Sequence, residues 1–307
     1  MAQLKSIEMQ PLTSGVGSIF IKSQFCAKPQ WPPTSTDLSG KVAIVTGGSS
    51  GLGLHASKLL LSYNLSHVIL AVRSLKKGEE AAATLRLEYP KAQVSVWELE
   101  MGSYDSVQAF VRKVEIELPR LDIAILNAGV AKLEFGLNPN TGHEETIQVN
   151  YLSTMLLAIL LLPALKAKSP SGAPGRLSVV CSGTVYQAKF GNRTQIPLLP
   201  SFDDTKIHPF DVGERYACSK LLGQLFLPKL AEYVNPDDVI VNLVDPGFCK
   251  DSGLHREAHG VLRAVLSLAK TLTGRTMENG ASTYVDATVV KGKESHGSWL
   301  MDWIIMP

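Results

Sequence analysis

Short apolar runs alternate with helical patterns from Lys41 to the end of the chain, and this alternation most constrains the fold. Seven runs have the length and composition of buried strands: 41–47, 67–73, 93–100, 121–129, 176–182, 239–247 and 297–303. Apolar residues at helical spacing fill most of the intervals between the runs. Strands that are apolar on both faces and alternate with helices are typical of parallel sheets. The pattern therefore predicts an α/β fold whose parallel sheet is covered by helices on both faces.

Residues 1–40 do not share the alternation of the rest of the chain. They lack a sustained apolar period and end in QWPPTSTDLSG, which is rich in Pro, Ser and Thr. A doubly wound sheet often uses about 250 residues or more in one unit. We therefore expect an N-terminal extension at 1–40 and a single catalytic domain at 41–307.

Composition excludes several classes of protein. Apolar residues make up 45% of the chain and charged residues 19%, which is enough for a large core and argues against intrinsic disorder. Thirty basic and twenty-eight acidic residues give a net charge of +2, so the charge balance favours no nucleic-acid partner. The most apolar stretch, 151–167, is too short for a confident membrane span and contains Pro163. We interpret it as a core helix and expect no stable membrane span.

The cysteines and histidines do not indicate a metal or disulfide framework. Cys26, Cys181, Cys218 and Cys249 form no C-x-x-C pair, so reduced thiols are expected. His255 and His259 are four residues apart, but they lack the H-E-x-x-H pattern and a third ligand, so no metal is predicted. The first fifteen residues contain no unbroken apolar run, which does not support a secretory signal. A cytoplasmic location is the resulting expectation.

A glycine-rich turn, TGGSSGLG, follows the first predicted strand and precedes a helix. Glycines at such a turn let the backbone approach a pyrophosphate, and the helix N-terminus adds a favourable dipole. The spacing is G-x-x-x-G-x-G, which differs from the usual dinucleotide fingerprint G-x-G-x-x-G. The predicted phosphate-binding residues are Gly47, Ser49, Ser50, Gly51, Leu52 and Gly53.

The end of the second strand indicates which dinucleotide is bound. A carboxylate there would bind the ribose 2′-hydroxyl of NAD, whereas a basic residue accommodates the 2′-phosphate of NADP. The sequence has Arg73 at this position and Lys77 shortly after it, and the first carboxylate comes at Glu79. Because a guanidinium presents a planar fork of donors to phosphate, the sequence favours NADP.

Polar residues with catalytic potential follow several of the predicted strands. Tyr216 and Lys220 are four apart on a predicted helix, hence on one face. A nearby ammonium favours the phenolate and lowers the pKa of a tyrosine. Ser182 ends the fifth strand and Asn150 begins the long helix after the fourth. Because ligands bind at the carboxyl edge of such sheets, we expect these groups to share one site.

The motifs TGGSSGLG, LNAG, VVCSG, YACSK and DPG, in that order, resemble those of the short-chain dehydrogenase/reductase family. The resemblance covers about residues 30–307 and is nearest to fungal enzymes with an extended N-terminus and to retinol-dehydrogenase-like members. It implies a single Rossmann-type, doubly wound parallel sheet of about seven strands in the order 3-2-1-4-5-6-7. The family's paired serines are Cys181 and Ser182 here, and its adenine-contacting Asp is replaced by Glu100.

The resemblance also implies a role for individual residues. Tyr216 is expected to be the general acid/base, with Lys220 lowering its pKa and contacting the nicotinamide ribose. Ser182 is expected to polarise the substrate carbonyl, and Asn150 to support a proton-relay water. The remaining cofactor contacts implied by the resemblance are Glu100, Met101, Asn127, Ala128, Gly129, Pro246, Gly247 and Phe248.

These expectations combine into an NADP-dependent ketoreductase or alcohol dehydrogenase acting on a small molecule. Long connections at 183–212 and 249–275 are predicted to be substrate lids, which suggests a bulky, largely apolar substrate of secondary metabolism. The second connection, 249–275, contains an apolar stripe, which a homodimer contact would explain equally well. A non-redox cyclase or isomerase that keeps the cofactor structurally is the alternative function. A silent binding protein is disfavoured because Ser182, Tyr216 and Lys220 are all present.

Overall fold

A computed structural model of the chain describes residues 5–170, 172–250 and 271–307. In these residues one sheet contains eight strands in the order β3-β2-β1-β4-β5-β6-β7-β8. The strands are β1 (Val42–Thr46), β2 (His67–Val72), β3 (Gln93–Glu98), β4 (Ile123–Leu126), β5 (Gly175–Val180), β6 (Val239–Asp245), β7 (Trp299–Met301) and β8 (Ile304–Met306). All neighbouring pairs are parallel except the final antiparallel pair. The Rossmann-type sheet is therefore confirmed, and so is the order of its first seven strands.

The helices within the described residues cover both faces of this sheet. They are α1 (Val16–Ile21), α2 (Gly51–Ser62), α3 (Leu75–Glu88), α4 (Tyr104–Glu117), α5 (Glu145–Lys168), α6 (Val212–Ala231) and α7 (Met277–Val285). Three stretches are π-helical: Lys22–Cys26 after α1, Gln148–Ser153 within α5 and Asp286–Val290 after α7. Short 3-10 helices occupy Ser6–Glu8, Gly183–Gln187, Leu199–Phe202 and Lys293–Ser295. Most of the second predicted lid falls on 251–270, which lie outside the described residues.

Alternate strand residues separate the core into two apolar layers. Val42 and Ile44 of β1 pack with apolar residues of α4, α5 and α6, whereas Ala43 and Val45 pack with those of α2, α3 and α7. Because successive side chains of a strand point to opposite faces, a strand buried on both sides must be apolar throughout. This explains why the central strands β1 and β4 are almost entirely apolar, whereas the edge strand β3 carries the exposed Gln93 and Glu98.

Side-chain caps begin five of these helices. Ser103 begins α4 and accepts a hydrogen bond from Ser106 N at 3.2 Å. Ser74, Glu144, Asp211 and Thr276 do the same for α3, α5, α6 and α7. Each cap satisfies an N–H that has no partner within its helix, which fixes where the helix begins.

The last strand, β8, is absent from the sequence prediction. It pairs with β7 through a tight turn in which Asp302 and Trp303 have φ of 55° and 61°. Such two-residue turns usually contain Asn-Gly or Asp-Gly because both central residues have positive φ. Trp303 carries no such signal, but its ring is buried and its Nε1 donates to Ser282 Oγ at 3.1 Å. The buried indole therefore lies at a residue with positive φ, and the sequence of this turn contains no glycine or asparagine that would predict such a conformation.

The apolar stretch expected to be a core helix lies within α5. By length and composition α5 is the one helix among the described residues that could cross a membrane. More than half of its apolar window is buried inside the fold, and Leu157, Leu161 and Leu165 are fully buried. The helix packs against α4 and the sheet, as a core helix does.

The described part of the N-terminal extension lies on the body of the protein. Ser6 Oγ accepts from Trp299 N at 2.9 Å, and Ser6 N donates to Ser298 Oγ at 3.2 Å. Ser23 is buried, and its Oγ donates to Asp302 Oδ1 at 2.8 Å. The extension is therefore tied to residues near the opposite end of the chain.

Candidate active site

The glycine-rich turn joins β1 to α2 with two residues in the left-handed region. Gly47 has φ of 65° and Gly51 has φ of 56°, conformations that cost other residues free energy. Gly53 needs its lack of a side chain for another reason. A Cβ there would lie 2.6 Å from the Gly47 carbonyl oxygen and from Asn127 Nδ2. Glycine is therefore required at residue 53, because any side chain there would prevent the turn from packing against Asn127 at the end of β4.

The other predicted members of the turn lie where a phosphate could approach. Ser50 is exposed and precedes α2 without making a side-chain cap to it. Ser49 and Leu52 are half-buried on either side of it. A helix of twelve residues with an uncapped N-terminus at a glycine turn fits the pyrophosphate of a dinucleotide.

Asn127 connects three elements at the sheet edge. Its Nδ2 donates to Thr46 O at 2.9 Å, and its Oδ1 accepts from Tyr284 Oη at 3.2 Å. Ala128 N donates to Thr46 Oγ1 at 2.9 Å. These bonds fix the turn after β4 against the glycine turn after β1.

The predicted catalytic residues meet beside Gly129. A Cβ at Gly129 would lie 3.2 Å from Asn150 Oδ1 and 3.6 Å from Lys220 Nζ. Lys220 is buried, its Nζ donates to Val180 O at 2.8 Å, and it lies 5.9 Å from the centroid of the Tyr216 ring. A hydrogen bond joins the Tyr216 and Ser182 side chains. The structure therefore brings together the four residues that the sequence assigned to catalysis.

Asn150 lies in the π-helical stretch of α5. Its Oδ1 accepts from Val130 N at 2.8 Å, and its Nδ2 donates to Val130 O at 2.8 Å and to Ser219 Oγ at 3.0 Å. Single π-turns inside α-helices occur frequently at functional sites. Here the π-turn accompanies an amide that joins the turn after β4 to the helix carrying Tyr216.

The pKa of Tyr216 corrects one expectation. Burial raises the pKa of Tyr216 well above its ordinary value, and the hydrogen bond to Ser182 only partly opposes this. Burial also lowers the pKa of Lys220. The predicted lowering by Lys220 is therefore not found, because desolvation of the half-buried phenol dominates its pKa.

Arg73 and Glu100 meet at the ends of β2 and β3. Arg73 Nε lies 3.7 Å from Glu100 Oε2, and both side chains are reachable by solvent. Glu100 Oε1 also accepts from Gly102 N at 2.9 Å. Lys77 is exposed in the first turn of α3, whereas Met101 is buried. Arg73 and Glu100, two charged residues predicted to contact the cofactor, therefore lie side by side at the carboxyl edge of the sheet.

Pro246, Gly247 and Phe248 form the turn after β6. Gly247 has φ of 74°, and a Cβ on it would lie 2.7 Å from Arg275 Nη1. Gly247 N donates to Asp245 Oδ1 at 3.2 Å. Pro246 is buried, while Gly247 and Phe248 are half-buried.

Two charged residues of this site were not assigned by the sequence analysis. Asp245 is buried, and burial raises its pKa from 3.8 to about 6, against the opposing hydrogen bond from Gly247 and the charge of Arg275. The folded protein then binds more protons at Asp245 than the unfolded chain between these two values, so this group's contribution to stability falls as pH rises through that window. Asp245 was visible within the DPG motif, whereas nothing in the sequence singled out Arg275.

The first predicted lid, 183–212, packs closely on α6. Phe202 is fully buried, its ring centroid lies 6.3 Å from that of Phe190, and the Arg215 guanidinium lies 5.0 Å above it. His208 is also buried, and its carbonyl accepts from Arg215 Nη2 at 3.3 Å. Phe202 and His208 of this lid therefore pack around the buried Arg215.

One group of potential metal ligands occurs among the described residues: His208, Glu214 and Cys218. Glu214 already accepts from Lys189 N at 3.0 Å and from Phe190 N at 2.8 Å, and Cys218 Sγ donates to it at 3.3 Å. These hydrogen bonds account for the cluster without an ion. His255 and His259 lie outside the described residues.

Comparison with known proteins identifies the family. A sequence profile described as short chain dehydrogenase matches residues 41–192. The short chain dehydrogenase/reductase mfmJ of Annulohypoxylon moriforme is 58% identical over 288 residues, which cover 94% of this chain and 83% of that protein. The chain belongs to the short-chain dehydrogenase/reductase family. The retinol-dehydrogenase-like subtype stays a prediction.

Solved structures show the same fold at lower identity. NADPH-dependent 3-quinuclidinone reductase from Rhodotorula rubra has a TM-score of 0.66 and 24% identity, covering 89% of this chain and 95% of that chain. L-sorbose reductase from Gluconobacter frateurii, complexed with NADPH and L-sorbose, has a TM-score of 0.64 and 22% identity, covering 87% and 96%.

Proposed function

We propose that the chain is an NADP-dependent ketoreductase or alcohol dehydrogenase. The observation that carries the proposal is the meeting of Tyr216, Ser182 and Lys220 at the same sheet edge as the glycine turn. The fold supports the proposal too, since structural relatives of this family are described with NADP or NADPH. The site thus combines a dinucleotide turn with a proton donor.

In the proposed reaction, the glycine turn and Arg73 would hold NADPH, whose chemistry when bound would be hydride donation to the carbonyl carbon of the substrate. Tyr216 donates a proton to the carbonyl oxygen, and its raised pKa keeps it protonated until charge develops on that oxygen. Ser182, which hydrogen-bonds Tyr216, donates a second hydrogen bond to the same oxygen. Lys220 lies beside the Tyr216 ring and stabilises the phenolate that remains.

Asn150 is proposed to support the return of a proton to Tyr216 through a water. Its side-chain amide donates to Val130 O and to Ser219 Oγ. The Ser219 hydroxyl in turn donates to the backbone carbonyl oxygen of Tyr216 at 2.7 Å. These contacts hold the amide beside Gly129 and Lys220. Asn150 is therefore one of the polar residues that surround Gly129 in the candidate site.

A panel of ketones tests the function directly. Enzyme mixed with stoichiometric NADPH is expected to oxidise it in step with the formation of alcohol from at least one bulky, apolar ketone. NADPH absorbance and product yield are measured on the same sample. Product formation without oxidation of NADPH would contradict the proposal and indicate a non-redox enzyme.

Arg73→Ala tests the choice of cofactor. Arg73 is proposed to bind the 2′-phosphate, and its loss should remove about 1.5–3 kcal/mol of charge-assisted hydrogen bonding. The KM for NADPH is expected to rise at least tenfold, while the KM for NADH stays within about twofold. Arg112→Ala, which removes an exposed arginine of α4, is the matched control and should change neither constant. Equal effects of Arg73→Ala on both cofactors would refute the 2′-phosphate role.

The remaining assignments are proposals that follow from this function. Residues 1–40 are proposed to be an extension of a single catalytic domain at 41–307, with 183–212 and 249–275 bounding the substrate. The substrate is proposed to be bulky and largely apolar, within secondary metabolism. A cytoplasmic location is also proposed, which fits the reduced thiols of Cys26, Cys181 and Cys218. A homodimer is proposed as the assembly to test by size-exclusion chromatography.

A further inference from the structure

The N-terminal segment, residues 16–26, lies against the turn that follows β6. The Phe20 and Phe248 ring centroids are 6.1 Å apart. With its amide oriented to match its surroundings, Gln24 accepts from Phe248 N at 3.1 Å and donates to Phe248 O at 3.0 Å and Thr273 O at 3.2 Å. One residue of the segment therefore pairs with both backbone groups of Phe248.

Arg275 joins the same segment and turn from the other side. Its N donates to Phe248 O and its O accepts from Lys250 N, both at 2.8 Å, so its backbone pairs with residues 248–250 like a short strand. Its guanidinium is buried, and Nη1 donates to Pro246 O at 3.3 Å while Nη2 donates to Ser23 O at 2.7 Å. One arginine thus bonds both the turn and the segment.

Asp302 and Trp303 complete the setting of this guanidinium. Asp302 forms an ion pair with Arg275 Nη2 and accepts from Ser23 Oγ at 2.8 Å. The guanidinium carbon lies 5.0 Å from the centroid of the Trp303 ring. The left-handed turn between β7 and β8 therefore presents an anion and an aromatic face to Arg275.

The turn held in this way belongs to the candidate active site. Residues 246–248 follow directly from β6, whose last residue, Asp245, is electrostatically coupled to Tyr216 and Lys220. Gly247 cannot carry a side chain because the Arg275 guanidinium fills that space. A movement of the N-terminal segment would therefore move the turn that faces the proposed nicotinamide.

We propose that the N-terminal segment is a positioning element for the nicotinamide end of the cofactor site, acting through Gln24 and Arg275 on residues 246–250. This inference rests on the proposed function and deepens it. The segment orders the turn before the cofactor arrives, so the turn loses less conformational freedom on binding. Affinity for the nicotinamide half then depends on residues that touch no part of the cofactor.

The test uses full-length variants that weaken docking of the segment. In Phe20→Ala/Gln24→Ala both contacts to Phe248 are removed. Ile21→Ala/Phe25→Ala changes two exposed apolar residues at the same spacing and is the matched control. Arg275→Lys, which keeps the charge opposite Asp302 but loses the planar fork, tests the arginine separately. Kd is measured by fluorescence titration with NADPH and with adenosine 2′,5′-bisphosphate, which lacks the nicotinamide.

We expect Phe20→Ala/Gln24→Ala and Arg275→Lys to raise the Kd for NADPH by roughly tenfold. The Kd for adenosine 2′,5′-bisphosphate should stay within about twofold of wild type, because that ligand binds only at the Arg73 end. The control variant should match wild type for both ligands. A merely structural role would weaken both ligands equally or lower only the melting temperature.

The outcomes also separate this inference from the proposed function. Wild-type binding of NADPH with an unchanged Kd in Phe20→Ala/Gln24→Ala would overturn the positioning role alone, even where Arg275→Lys fails to fold. An equal loss of affinity for both ligands would overturn it as well. Failure of the wild-type protein to bind NADPH would overturn the proposed function and this inference with it.

Discussion

Replacing Tyr216 with phenylalanine is expected to lower kcat for ketone reduction by about 10²–10⁴-fold, the usual range for loss of a general acid. The ring is half-buried beside Lys220, so phenylalanine keeps its packing and removes only the hydroxyl that bonds Ser182. NADPH affinity should change by less than about threefold. Single-turnover reduction and fluorescence titration measure the two quantities separately.

Tyr233→Phe is the matched control for this prediction. Tyr233 lies just after α6, the helix that carries Tyr216, and its side chain is exposed. Removal of its hydroxyl should leave both kcat and the NADPH Kd unchanged. Undiminished turnover in Tyr216→Phe would remove this tyrosine from the mechanism.

Gly53→Ala is expected to have the second-largest effect, on cofactor binding and stability together. The new Cβ would lie 2.6 Å from the Gly47 carbonyl oxygen, a backbone atom, so the turn itself must shift. Overpacking of this kind costs about 1–3 kcal/mol of folding free energy. Displacement of the phosphate-binding backbone should weaken NADPH binding by at least about tenfold. Urea unfolding and NADPH titration measure the two effects.

Gly223→Ala provides the contrasting substitution at another helical glycine. A Cβ at Gly223 would lie 3.6 Å from Met155 Cε, an ordinary contact, and alanine is the better helix former by up to about 1 kcal/mol. This variant should be slightly stabilised and bind NADPH as wild type does. Equal stability and affinity in Gly53→Ala and wild type would contradict the close approach at the turn.

The positions of the parallel strands could be predicted because each strand carries its own signal, whereas their order was implied by the resemblance of the motifs to the family. β1 is apolar throughout, ends at a glycine turn and is followed by a helix, so its position in a doubly wound sheet follows from local pattern and family motifs. The catalytic residues could be assigned for a similar reason. Ser182 and Asn150 follow strands, and the carboxyl ends of parallel strands meet at one edge.

The electrostatics of Tyr216 could not be predicted from spacing. Four residues on a helix place Lys220 near the ring, but spacing does not measure how much water the two side chains lose. In the folded protein desolvation raises the pKa of Tyr216 and lowers that of Lys220. The sign of the shift depends on burial, which only the tertiary structure supplies.

Contacts between distant segments were also hidden in the sequence. The turn at Asp302 and Trp303 lacks glycine, and Ser23 lies in a stretch without apolar period. Their link through Arg275 depends on side chains that are far apart in the chain. The local pattern of apolar and polar residues does not indicate which distant side chains will bond to each other.

The hydrogen bonds of Ser6 and Ser23 have a consequence for the order in which the protein assembles. Their partners, Ser298, Trp299 and Asp302, lie almost a full chain length away. During synthesis the N-terminal segment leaves the ribosome long before these partners do, because they follow it by at least 279 residues. The segment therefore cannot dock until β7 has been synthesised. The turn after β6 is held from both sides only after Asp302 has been synthesised.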